Sequence, residues 1–290
     1  MIISLITGGA GNQLSMYSFG RAFAEKNNHI HRVDLGQYEY KPDPKKVYSL
    51  HKYVLDRTKL NPIAMTREEI EEHCRTTKTG MLTERVLGYS ESIWDIKSES
   101  LWVNMYAADY RYSQPIIAKL REELTPMVPM GGEFKNLYDE MRDGETVSLH
   151  VRLMDYVRNP NCLNLPITYY RDALKVVANG ASGLRVYLFT DEPELIIKGA
   201  FNPGLPYTII SNGPDRNLED MTLMTACKHH VVANSSFSFW GAWLDGKMGG
   251  ITVVPDLYHR PDCKQLLDSY KEVIQPSYPP DWNVVKVRLQ

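Results

Sequence analysis

Two ionisable side chains, His150 and Arg152, stand two residues apart in the run VSLHVRLMDY. On an extended strand, alternation puts Ser148, His150 and Arg152 on one face and Val147, Leu149 and Val151 on the other. An imidazole and a guanidinium then leave the strand side by side, and the guanidinium can grip a phosphate through two parallel hydrogen bonds. The alternative is a sheet face whose His and Arg are satisfied by local carboxylates such as Asp155. A second run, VYLFTDEPE, delivers Thr190, Asp191 and Glu192 to a strand exit. There Pro193 can begin a helix that Thr190 or Asp191 caps.

The densest run is NLEDMTLMTACKHHVVANSSFSFWGAWL. Asn234, Ser235, Ser236, Phe237 and Ser238 fall where a strand gives way to a helix. Free N–H groups and hydroxyls at that point make an anion site that needs no metal. Plainer uses exist: Asn234 or a serine as a simple cap, and Asp220 as a capping-box carboxylate behind Asn217. Near the N-terminus, the turn GGAGNQ (8–13) sets Gly9, Gly11 and Asn12 between an apolar strand and an amphipathic helix. Its glycines either make a turn or let backbone approach a ligand.

Positioning these residues requires strands that end on a common edge. Strands are expected at Ile2–Ile6, Leu101–Tyr110, Thr146–Arg152, Arg185–Thr190, His229–Ala233 and Ile251–Val254. Helices are expected at Leu14–Lys26, Thr66–Arg75, Pro115–Leu124, Thr168–Ala178, Leu218–Cys227 and Phe237–Leu244. Thr66 and Glu69 have the spacing of a capping box. Strand–helix alternation in the second half argues for a parallel sheet covered by helices, so the fold class is α/β. In such sheets ligands bind beyond the carboxyl ends of the strands. The Pro- and Gly-rich run Pro126–Phe134 is the expected interdomain region, dividing the chain into domains 1–135 and 136–290. The Pro-rich C-terminal run from Gln275 is expected to pack back on the first domain.

The chain has 290 residues, 43% of them hydrophobic and 23% charged, which is globular composition long enough for two domains. A net charge of −2 with no Lys/Arg block speaks against nucleic-acid binding. No apolar run approaches the roughly 20 residues that span a bilayer, and the opening residues, a short strand followed at once by glycines, lead us to expect no signal peptide. A cytoplasmic location is expected, with the inner membrane face as a place of work. Cys74, Cys162, Cys227 and Cys263 are widely spaced and read as free thiols. GGAGNQ lacks the Lys-Ser/Thr ending of a P-loop, and Leu14 breaks the dinucleotide fingerprint. The sequence contains no Asp-x-Asp pair of the kind that holds a divalent ion in metal-dependent sugar transferases. No metal site is expected.

The motifs GGAGNQLSMYSFGRAFA (8–24), HVRLMDY (150–156), FTDE (189–192) and DMTLMTACKHHVVANSSFSFWGAWL (220–244) resemble those of the α-1,2-fucosyltransferases. The resemblance implies a GT-B-like arrangement: two Rossmann-like domains, the first on the acceptor side and the second binding the nucleotide sugar, with the active site between them. It implies inverting, metal-independent transfer of L-fucose from GDP-β-L-fucose to a galactose 2-hydroxyl of a glycan, lipid-linked in some settings. GDP-fucose then enters as donor substrate, with no cofactor. Arg152 is implied to bind the diphosphate, His150 to lie near the nucleoside, and Asp220 to contact guanine. Ser235, Ser236 and Ser238, with Asn234 and Phe237 at their helix start, are implied to hold the β-phosphate. Gly9, Gly11 and Asn12 are implied to line the sugar side. Asp155 is the candidate base, with Asp191 and Glu192 as rivals and Asp191 also on the donor side. Leu153 and Met154 replace the second Arg and the Gly of the family's His-x-Arg-Arg-Gly-Asp. That departure leaves two alternatives, a transferase of the same fold using another nucleotide sugar and a non-catalytic binder of nucleotide sugar or glycan.

Overall fold

The computed structural model describes residues 1–39, 51–154, 156, 162–199, 201–247, 249–270, 272–275 and 277–289. The chain forms two compact units, Met1–Leu120 with Leu266–Ser277, and Arg121–Gln265 with Tyr278–Gln290.

The first unit carries a five-stranded parallel sheet. Its strands are β1 (Ile2–Leu5), β2 (His31–Asp34), β3 (Ala64–Met65), β4 (Thr79–Thr83) and, after the short β5 (Val86–Leu87), β6 (Ser100–Asn104). They lie in the order β3-β2-β1-β6-β4. β1 is buried along its whole length, as a central parallel strand covered on both faces must be. The helix α1 (Ala10–Lys26) follows it, four residues earlier than Leu14. Gly11 and Asn12 therefore belong to the first helical turn, and Gly9 is the N-cap. Gly8 makes the turn itself at φ +73°. Further along, Gly20 lets α1 press on β1, since a Cβ there would stand 1.9 Å from Ser4 Oγ. Phe19 of α1 packs edge-on against Trp94 and Tyr112, at ring separations of 5.6 and 5.1 Å.

The Thr66 capping box is formed. Thr66 Oγ1 accepts from Glu69 N at 3.2 Å, and the Glu69 carboxylate accepts from Thr66 N at 2.8 Å. β6 is shorter than the expected strand 101–110. It ends at Asn104, the chain bends through Ala107 at φ +49°, and Asp109 caps a turn of helix at Tyr110–Ser113.

The second unit carries a six-stranded parallel sheet. Its strands are β7 (Thr146–Val151), β8 (Arg185–Thr190), β9 (Tyr207–Ile210), β10 (His229–Val231), β11 (Thr252–Pro255) and, after β12 (Glu272–Val273) of the first unit, β13 (Asn283–Val285). The order is β13-β11-β10-β7-β8-β9. Val147, Leu149 and Val151 face a core with Tyr169, Tyr170 and Leu174 of the helix Ile167–Gly180. On the opposite face Tyr187 and Phe189 pack with Leu223 and Met224 of the helix Asn217–Ala226. The helix Gly132–Arg142 occupies part of the expected interdomain run. Only Leu266–Ser277 of the C-terminal region joins the first unit, where β12 pairs with β5. The run beyond it, Tyr278–Gln290, belongs to the second unit, where β13 completes the sheet beside β11.

Candidate active site

The carboxyl ends of β7, β8, β10 and β11 are adjacent in the second sheet, so the residues that follow them share one edge. β7 delivers His150 and Arg152 as alternation requires. His150 is 4% exposed, its Nδ1 makes no hydrogen bond, and its ring lies 5.6 Å from that of Phe237. Burial, with the Arg152 cation adding to it, holds the imidazole down to about 3, so it is neutral at any ordinary pH. Ser148, on the same face, is used inside the fold. Its Oγ meets His230 Nδ1 at 2.8 Å, and His230 Nε2 meets Asp245 Oδ2 at 3.0 Å.

Arg152 Nη1 stands 2.5 Å from Asp191 Oδ2, a charge contact without hydrogen-bond alignment. Asp191 Oδ1 accepts from the backbone N–H groups of Leu153 and Met154 at 2.9 and 3.3 Å. Asp191 thus holds the start of the loop after β7, and it does not cap the next helix. That helix, Pro193–Lys198, has Glu192 at its N-cap, and Thr190 Oγ1 accepts from Glu192 N at 3.2 Å. Leu153 packs on the Val147–Leu149–Val151 core, opposite to Arg152. Asp155 lies outside the described residues.

After β10 the chain turns into the helix Ser236–Trp243. Ser235 is its cap, accepting from Phe237 N at 3.3 Å. Asn234 is 2% exposed and serves the loops instead of the helix. Its Nδ2 donates to the carbonyls of Leu163 and Tyr258 at 2.9 and 3.0 Å, and its own carbonyl accepts from Tyr156 Oη at 2.8 Å. Ser238 is turned inward, accepting from Ala233 N at 3.2 Å and donating to Ser235 O at 3.3 Å. Ser236 is bonded to Tyr258 from the loop after β11, and burial raises that phenol to about 12. Arg152 lies over the Tyr156 ring, 5.8 Å from its centroid. Tyr156 and Tyr258 carry no spacing signal, since each reaches the edge from a loop.

Asp220 is set by Asn212, not by a capping box with Asn217. Its carboxylate accepts from Asn212 Nδ2 at 2.5 Å and from Asn212 N at 3.3 Å, and burial pushes it up to about 6.

In the first unit the glycine turn sits at the carboxyl end of β1. A Cβ on Gly9 would lie 3.4 Å from the His51 ring. Gly11 is buried, and Asn12 is half-buried. Gln13, the neighbour that carried no assignment, is fully buried and holds the turn. Its Nε2 donates to the Gly8 and Lys52 carbonyls at 2.9 and 2.8 Å, and its Oε1 accepts from Val54 N at 3.0 Å. Tyr38 Oη donates to Gly8 O at 2.8 Å. Among the described residues no three His, Cys, Asp or Glu side chains gather as a metal site, and no helix is long and apolar enough to cross a membrane.

The model of a protein family described as Glycosyl transferase family 11 matches residues 98–286. The chain is 29% identical over 274 residues to an alpha-1,2-colitosyltransferase of Escherichia coli, covering 88% of this chain and 91% of the relative. It is 27% identical over 158 residues to the O-antigen biosynthesis glycosyltransferase WbnK of Escherichia coli, covering 50% and 52%. Among solved structures, the fucosyltransferase NodZ from Bradyrhizobium superposes with a TM-score of 0.45 at 14% identity, over 83% of this chain and 92% of that one.

Proposed function

The chain belongs to glycosyl transferase family 11, and on that premise we propose that it is an inverting, metal-independent fucosyltransferase. It moves L-fucose from GDP-β-L-fucose to the 2-hydroxyl of a galactose in an oligosaccharide or polysaccharide, and works on the cytoplasmic side, lipid-linked glycans included. The observation that supports this reading is the edge of the second sheet. There Arg152 and the unpartnered His150 imidazole leave the strand beside β10, whose end becomes the serine-rich helix start. In this reading Arg152 and the helix N-terminus offset the negative charge that grows on GDP as the anomeric bond breaks. His150 meets the nucleoside, the Asp220 carboxylate meets guanine, and Gly9, Gly11 and Asn12 line the sugar side.

A donor of the colitose type is the second reading. It is favoured by the likeness to the colitosyltransferase and by Leu153 and Met154, apolar residues where the fucosyltransferase motif is Arg-Gly.

The test is a melting-shift panel of GDP-fucose, GDP-colitose, GDP-mannose and UDP-sugars, followed by turnover on β-galactosides with and without a chelator. GDP-fucose is expected to stabilise the protein and to be consumed in either case. Stabilisation by a UDP-sugar alone defeats both readings, and GDP-sugar binding without turnover on any acceptor leaves a binding protein. Arg152→Ala is expected to weaken donor binding by about a hundredfold, as loss of a charge-assisted contact of roughly 3 kcal/mol requires. Wild-type affinity in that variant removes Arg152 from the phosphate site.

A further inference from the structure

The C-terminal half of α1 borders two hollows of the first unit, of about 610 and 640 Å³, that meet at Lys26. Both lie apart from the Gly8–Asn12 turn, since Ala22, the first α1 residue to line either, stands about 18 Å along the helix from Ala10. The larger hollow has an apolar floor of buried Ala22, Trp94 and Ile116, edged by the half-buried rings of Tyr89 and Tyr110. Its rim is polar and mixed in charge. Arg111 is fixed there by Asp109, whose carboxylate accepts from Nε and Nη2 at 2.8 Å each, and its guanidinium lies 4.0 Å from the Tyr89 ring centroid. Trp94 Nε1 donates to Tyr89 Oη at 3.2 Å, which leaves the phenolic proton uncommitted. Lys26 Nζ rests 5.5 Å from the Trp94 ring centroid. The exposed side chains of Glu91 and Gln114 bond to no other group among the described residues. In the smaller hollow Asn27 Oδ1 accepts from Lys97 Nζ at 3.1 Å, beside Asn28, Ser98 and Glu99.

Across the two hollows Lys26, Lys97 and Arg111 balance Glu25, Glu91 and Glu99. That balance speaks against a phosphate or a nucleic acid, which calls for an excess of cations. A sugar ring, by contrast, has an apolar face of C–H groups and a rim of hydroxyls that both donate and accept. An aromatic floor ringed by ammonium, guanidinium, carboxylate and amide heads matches it on both counts.

We propose that this groove binds an uncharged stretch of the acceptor glycan, away from the sugar that is modified. The inference rests on the glycosyl transfer proposed above, which makes a glycan the ligand at hand. Lys26, Arg111 and the Tyr89 hydroxyl donate to sugar hydroxyls, Glu91 accepts from them, and the Gln114 amide does both. Arg111 and Tyr89 are already held by Asp109 and Trp94, so little ordering is left to lose on binding. The groove touches no reacting atom, so it favours long acceptors through KM and not through kcat.

The test compares lactose with linear β-1,4-galactohexaose, by titration calorimetry and as acceptors, on wild type and on the double variant Glu91→Ala, Gln114→Ala. Both side chains are exposed, so the variant is expected to melt as wild type does. Wild type is expected to bind the hexaose about tenfold more tightly than lactose, as two or three added hydrogen bonds allow. The variant is expected to lose that advantage in Kd and in hexaose KM, with lactose KM, kcat and GDP-fucose affinity unchanged. A hexaose advantage that survives in the variant overturns the inference, as does its absence from wild type. So does a change of oligomeric state on substitution, read by light scattering, which makes the groove a face between two copies of the chain. If wild type turns over no GDP-sugar yet binds the hexaose, and the variant does not, the functional reading fails and the glycan groove stands.

Discussion

Asp191 links the chemistry of the second sheet edge to the loop that departs from the family pattern. One carboxylate oxygen holds the Leu153 and Met154 amides, and the other faces Arg152. Because backbone N–H groups are the donors, the loop start is held whatever side chains occupy 153 and 154. Leu153 in turn points into the core, so losing an arginine there leaves the Arg152 face unchanged. Asp191→Ala is expected to release the loop and cost about tenfold in GDP-sugar affinity, whereas Asp191→Asn keeps one accepting oxygen and costs less. Titration calorimetry of the two variants reads this directly, and equal losses would show that the charge, not the loop, matters. The pairing of His150 with Arg152 was readable from alternation alone. The engagement of Asp220 with Asn212 was not, because the seven intervening residues contain a turn whose path no periodicity reports.

At the scale of elements, α1 shows how a helix start can pass for a loop. Three glycines in four residues suggest a turn, yet only Gly8 adopts a positive φ, and the helix begins at Ala10. What holds this glycine-rich first turn is Gln13, whose amide joins the Gly8, Lys52 and Val54 backbones. Gln13→Ala removes three hydrogen bonds at once, leaving Val54 N without its acceptor while Gly8 O keeps Tyr38 Oη, and is expected to destabilise the protein by roughly 2–4 kcal/mol in urea unfolding. Gly20→Ala tests the next contact, since its Cβ would collide with Ser4 Oγ and His31 Nε2 at 1.9 and 2.6 Å. A loss of about 1–3 kcal/mol is expected, and a neutral result would mean that α1 shifts freely on the sheet. The Thr66 cap, by contrast, was legible because both partners lie within one helical turn.

For the whole molecule, burial of ionisable groups sets how stability follows pH. His31 and His150 are held neutral with folded values of about 3 against an ordinary 6.5. Below 6.5 the unfolded chain takes up protons that the folded chain refuses, so stability falls on acidification by up to about 1.4 kcal/mol per pH unit for each. Glu84 and Asp220 act in the opposite sense. Their folded values of about 7 and about 6 lie above the ordinary 4.5 and 3.8, so the stability they contribute is complete at low pH and lost as pH rises. Acidification from near 7 therefore draws compensation from the carboxyls until their ordinary range is reached, and stability drops most steeply below it. Removing Glu84 removes part of the compensation. The melting temperature of Glu84→Gln is expected to fall faster than that of wild type between about 7 and 4.5. Parallel melting curves across that window would mean that Glu84 titrates normally.

The amino-acid sequence by itself determined the α/β class, most strands and helices of the second unit, and the face that His150 and Arg152 share. These follow from local rules: a two-residue period, a helical period and short-range caps. Tertiary structure alone decided where the C-terminal strand pairs, what Gln13, Asn234 and Asp191 hold, and which oxygen of Glu84 is left bare. Each depends on chain segments far apart in sequence, and burial, which sets both the cost of an unpaired polar atom and the proton affinity of a carboxyl, exists only after those segments pack.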